Sequence, residues 1–122
     1  HTADIGIIAE GPTFEKALES AAQGMFSLMG KSRQKEKIEL SMERERRDEL
    51  VVFLFSEILA RCESEGFLPC RMKVLESTPN SVRVQVLGEY KTLKNIIKAV
   101  TFHMLEVNQE HGTWKIQVLF DI

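Results

Sequence analysis

Apolar residues recur along this chain with two different periods, and the switching between them lays out the elements. Thr2 to Ala9 is short and apolar with Asp4 and Gly6 set into it, which predicts a strand closed by the turn cluster Glu10-Gly11-Pro12. Thr13 then stands as an N-cap, with Glu15 in the first turn where a negative charge suits the helix dipole. Phe14, Ala17, Leu18, Ala21, Ala22, Met25, Phe26 and Met29 follow at spacings of three and four, an amphipathic helix that Gly30 ends. After the polar stretch Lys31 to Lys37 the period drops to two: Ile38, Leu40 and Met42 alternate with Glu39 and Ser41 as a half-buried strand. The mixed charges of Glu43 to Arg47 read as a solvated connection, since interleaved acids spoil a basic RNA patch.

Asp48 is positioned to cap a second helix, whose stripe is Leu50, Val51, Leu54, Phe55, Ile58, Leu59 and Cys62 and whose stop is Gly66. Beyond it, Cys70, Met72 and Val74, the turn Thr78-Pro79-Asn80-Ser81, and Val82, Val84 and Val86 predict a hairpin with one polar face, ended by Gly88-Glu89. Tyr90 to Asn95 makes a short polar connection. The apolar run from Ile96 to Val107 carries apolar groups on both alternating faces, which predicts a central strand covered on both sides. Lys98 opens that strand, where its ammonium needs an acid or an anion beside it. Asn108 to Gly112 turns the chain into a last strand with Trp114, Ile116, Val118 and Phe120 on one face and Asp121 on the other. The order is β-α-β-α-β-β-β-β: a single α+β domain over 1–122, with two helices packed on a mostly antiparallel or mixed sheet.

Composition narrows the function classes. At 122 residues, 43% hydrophobic and 28% charged, the chain is an ordinary globular domain with no apolar run long enough to span a bilayer. Sixteen basic against eighteen acidic residues, net −2, argue against a dedicated nucleic-acid binder. Cys62 and Cys70 show neither metal nor redox spacing and read as two buried, reduced thiols of a cytoplasmic protein. The chain begins with His1 rather than methionine, so a targeting peptide upstream of it is neither recognised nor excluded.

Motifs for catalysis are missing: no glycine-rich phosphate loop, paired-cysteine zinc site, His-Glu-x-x-His or nucleophile elbow. His111 falls in a turn, and His103 reads as a core histidine bonded through one ring nitrogen. Asp4 and Asp121 stand out, each a lone acid in an apolar strand. Brought together, two carboxylates plus main-chain oxygens, including that of Ile122, are ligands for a hard cation such as Ca²⁺ or Mg²⁺ rather than zinc. The alternative is that both are hydrated strand ends.

Six blocks carry a resemblance: His1-Thr2-Ala3-Asp4-Ile5-Gly6, Thr13-Phe14-Glu15-Lys16-Ala17, Glu65-Gly66-Phe67-Leu68, Gly88-Glu89, Lys98-Ala99-Val100-Thr101-Phe102-His103 and Asp121-Ile122. In this order, from first residue to last, they resemble the archease family. The resemblance implies a small non-catalytic protein cofactor of the RtcB-type RNA ligase, which seals tRNA halves after intron removal using GTP and divalent metal. The family promotes guanylylation and repeated turnover of the ligase, and RNA would be met only through the ligase. It implies a divalent-cation site (calcium, or magnesium or manganese) at Asp4, Asp121 and Ile122, a functional lysine at Lys98, and supporting places for His103 and Glu89. The sequence departs from the family pattern in the connection Tyr90 to Ile97, which is shorter and more basic than usual. Two other functions compete: a small metal-dependent hydrolase with Asp4 and Asp121 around the ion and His103 as base, and an interaction domain without an ion. Turnover by the isolated protein would favour the first, and equal ion affinity with and without the two acids the second.

Overall fold

The computed structural model describes residues 3–122. In chain order it contains β1 (Asp4–Gly11), α1 (Phe14–Met29), β2 (Glu36–Glu43), α2 (Arg47–Glu65), β3 (Phe67–Thr78), β4 (Ser81–Tyr90), β5 (Ala99–Glu110) and β6 (Thr113–Asp121). This is the α+β order expected, and all strand pairs are antiparallel. The strands divide into two three-stranded sheets, β1-β6-β5 and β2-β4-β3. Helix α1 packs on β1, β6 and β3, and α2 on β5, β2 and β3, so both helices touch both sheets and one continuous core joins them. All eight stripe residues expected on α1 are buried, as are all seven on α2.

Both helices stop where glycine allows it. Thr13 Oγ1 accepts the Lys16 N–H at 3.1 Å, and Gly66 closes α2 in the left-handed conformation at φ 66°. Asp48, by contrast, is not the cap of α2. Arg46 holds that position, and Asp48 sits in the first turn, paired with the Arg46 guanidinium and accepting the Glu49 N–H at 2.7 Å. Nor is the preceding charged run fully solvated: Arg44 lies 4.0 Å over the Phe53 ring, and Arg47 lies 4.4 Å from Phe14 and 4.7 Å from Trp114. Gly88 does not end its strand; β4 continues to Tyr90, and a Cβ on Gly88 would stand 2.2 Å from the Leu68 carbonyl oxygen of β3.

The largest departure is β5. It is an edge strand, not a central one; β6 is the covered strand of that sheet. The register runs Ala99↔Asp121 to Thr101↔Leu119 and resumes at Glu106↔Gln117, so four residues of β5 face one of β6. This wide bulge includes Met104 at φ 52° and is tied down by Gln117 Nε2 donating to the Met104 carbonyl at 2.8 Å. Alternation cannot survive it, and Phe102 and Met104 emerge 54% and 60% exposed. His103 is exposed on the same bulge rather than packed in the core. Cys62 is buried and Cys70 half-buried, both unpaired, and burial pushes the Cys62 thiol up to about 12.

Candidate functional site

The carboxylates singled out in the sequence are direct neighbours. Inward-facing Ile5, Ile7 and Ala9 of β1 and buried Ile116, Val118 and Phe120 of β6 fix the faces of the two strands. The alternate positions, Asp4 and Asp121 among them, turn outward, and the antiparallel register sets Asp4 opposite Asp121. The end of this ladder is tied by the Ile122 N–H donating to the Ala3 carbonyl at 3.0 Å. His1 and Thr2, with which the opening block begins, lie outside the described residues.

From the other side of β6, the Lys98 N–H donates to the Asp121 carbonyl at 2.7 Å, which lays the lysine beside the acid pair. Strand β5 begins only at Ala99, and Lys98 itself is exposed, so the desolvation expected of a buried strand opening does not arise. Two residues that sequence reasoning passed over set this position. Ile97 is buried in the core, and the Asn95 amide clamps it, accepting the Ile97 N–H at 3.0 Å and donating to the Ile97 carbonyl at 3.1 Å. A third bond, donated by Asn95 Nδ2 to Glu63 at 2.9 Å, ties the connection to α2. An asparagine two residues before an apolar position was the available signal.

Electrostatics mark Asp121 as the stressed member. Its hydrogen bond with Asp4, partial burial and the neighbouring Asp4 charge push its carboxyl above the usual carboxylate value; Lys98 pulls the other way without prevailing. Two adjacent carboxylates whose repulsion is not relieved by the nearby ammonium suit a divalent cation, and the donor set is all oxygen, which suits a hard one. Among the described residues no group of three or more His, Cys, Asp or Glu side chains converges, so protein carboxylates would supply only part of a coordination shell.

His103 and Glu89 do not join this pair. His103 is four residues further along β5 than Ala99, the partner of Asp121, and sits in the bulge. Glu89 lies on the other sheet among Arg33, Lys35 and Lys91, and accepts the Arg33 N–H at 3.2 Å. Burial opposes its charge, but that bond and the three cations outweigh it and hold its carboxyl below the usual value. The arrangement of two acids with a histidine base, required of a hydrolase, is therefore not assembled at Asp4 and Asp121.

This two-sheet α+β domain with an acid pair at its terminal strand ends belongs to the archease family: residues 1–122 match the model of the archease protein family (MTH1598/TM1083). The archease of Methanosarcina barkeri is 33% identical over 137 residues, an alignment spanning all of this chain and 92% of that protein. That of Thermococcus kodakarensis is 31% identical, spanning all of this chain and 94% of the relative. Among solved structures, protein 1598 of Methanobacterium thermoautotrophicum is 29% identical with a TM-score of 0.72, over 98% of this chain and 93% of that one. A Thermotoga maritima archease, called a possible chaperone, shares the fold with a TM-score of 0.75 at 24% identity, over 100% and 93% of the two chains. Among the described residues, no helix is long and apolar enough to cross a membrane.

Proposed function

We propose that this protein is a cytoplasmic, non-catalytic accessory factor of an RtcB-type RNA ligase in tRNA splicing and RNA repair, helping the ligase to become guanylylated and to turn over repeatedly. The observation that carries the reading is the register match of Asp4 with Asp121 beside Lys98, which gathers the three charged residues the family resemblance singles out. Asp4, Asp121 and the main-chain oxygen of Ile122 would hold the divalent cation, calcium or else magnesium or manganese. When bound, it supplies positive charge that screens the two carboxylates and can be presented to an anionic nucleotide. Lys98, exposed and adjacent, holds a second positive charge at the same end of the sheet.

The protein's own residues then act by position. The Asn95 clamp and buried Ile97 orient the backbone of Lys98, and the β1-β6 ladder keeps the acids together. No side chain here is asked to form or break a bond. The test is multiple-turnover ligation of tRNA halves by an RtcB-type ligase, with and without this protein. The expected result is more product per ligase with the wild type and none of that gain with Asp4→Ala. Equal turnover in all arms would reject the reading, as would ligation or phosphoester hydrolysis by the isolated protein.

A further inference from the structure

We propose that the outer face of the β2-β4-β3 sheet is a binding surface for the phosphate backbone of RNA. The inner face of this sheet is apolar: Ile38 and Leu40 on β2, Val82, Val84 and Val86 on β4, and Met72 on β3 are buried in the core. The alternate positions face out, and the register aligns them in rows. Lys37 and Arg71 flank Leu87, Glu39 and Lys73 flank Gln85, and Ser41 and Glu76 flank Arg83. At the end of the sheet Glu89 gathers Arg33, Lys35 and Lys91.

Counted together with Glu43, which faces out opposite Ser81 at the far end, seven cations meet four carboxylates, a net of +3 on a chain whose total is −2. Three of the four acids on this face are already engaged. Glu39 and Glu76 both hold Arg83, each at 3.1 Å, and Glu89 is outnumbered three to one. Among the described residues, Lys37, Arg71 and Lys73 have no carboxylate within the 4.0 Å of an ion pair, and all three are exposed. Arg71 and Lys73 stand two residues apart on one strand, about 7 Å, and Lys37 lies two strands from Arg71, about 10 Å. These spacings are close to the Debye length of about 8 Å at physiological salt, so the cations act on a polyanion together. Leu87 is the one large apolar group in the rows and no aromatic side chain stands there to stack a base, so recognition is of backbone charge, without sequence preference.

That the polyanion is RNA rather than DNA rests on the reading of the protein as an RNA-ligase factor; the charge argument does not. The test is fluorescence anisotropy of a fluorescein-labelled oligouridylate with the isolated protein, titrated with salt from about 0.05 M. The expected dissociation constant is roughly 10–100 µM near physiological salt, with a log–log salt slope of about −2 to −3 for three or four neutralised phosphates. Lys37→Gln/Arg71→Gln/Lys73→Gln should weaken binding at least about tenfold and flatten the slope by about 2, at an unchanged melting temperature, while Lys37→Arg/Lys73→Arg retains it. No binding at the lowest salt, or binding that the triple variant leaves intact, overturns the proposal. So does loss of ligase capture by the triple variant without RNA, which would assign the face to an acidic protein surface. Because the ligase is absent from the binding assay, failure here leaves the accessory role standing, and failure of ligase stimulation leaves this result untouched.

Discussion

Asp4 and Asp121 meet at one end of the ladder, and the contact with Asp4 pushes the Asp121 carboxyl above its usual value. Because its folded-state carboxyl is raised, the folded protein holds that proton more tightly than the unfolded chain does. The associated stability is complete below the unfolded value of about 3.9 and is lost as pH rises through the higher folded value. At neutral pH the ion-free protein is therefore less stable for having both acids. Asp121→Asn should melt above wild type at pH 7, the gap closing as pH falls towards 4. Added Ca²⁺, Mg²⁺ or Mn²⁺ should reverse the ranking, stabilising the wild type by about 2.7 kcal/mol at about 100 times the dissociation constant and leaving the variant unmoved. Scanning calorimetry across pH, with and without ion, checks both halves; identical ion responses would remove the site.

Among the elements, the helices and β4 are legible from the sequence because their periods run unbroken from one cap or turn to the next, and β3 keeps its alternation from Cys70 to Val74, between its two bulges. Strand β5 is not. Its apolar run is real, but three surplus residues between Thr101 and Glu106 end the alternation, and no glycine or proline in that stretch announces the bulge. Met104, rather than a glycine, takes the left-handed turn, which is why a two-sided central strand was the natural expectation for what is a bulged edge. The acid pair was legible for the opposite reason: lone carboxylates in apolar strands are rare enough to stand out. Gly88 has a meaning only the sheet reveals. Where β3 bulges between Pro69 and Arg71, its backbone presses onto Gly88 so closely that Gly88→Ala must part the strands. The expected cost is about 2–4 kcal/mol, read by chemical denaturation, against under about 0.5 kcal/mol for an exposed substitution such as Gln34→Ala.

For the whole molecule, the two sheets are tied through the helices, and Arg47 shows how. At the start of α2, its guanidinium packs against both Phe14 of α1 and Trp114 of β6, rings that themselves meet edge-on at 5.5 Å. Arg47→Met, which keeps the stem but not the charge, should cost about 1 kcal/mol by denaturant unfolding. Division into two sheets, and gathering of basic residues onto one of them, depend on pairings between distant strands. Arg33, Lys37, Arg71 and Lys91 are scattered along the chain, and its balanced charge hides them until the topology brings them to one face.

At the other end of the molecule, the strand ends hold the claim on which the functional reading depends. Lys98 is exposed and, among the described residues, is hydrogen-bonded through its backbone alone, so removing its side chain strands no buried acid there. The most direct measurement is therefore multiple-turnover ligation with Lys98→Ala and Lys98→Met, run beside their melting curves. Loss of ligase stimulation at a melting temperature within a few degrees of wild type is the expected result. Full stimulation by either variant would contradict it, and a collapsed fold would show the lysine to be structural.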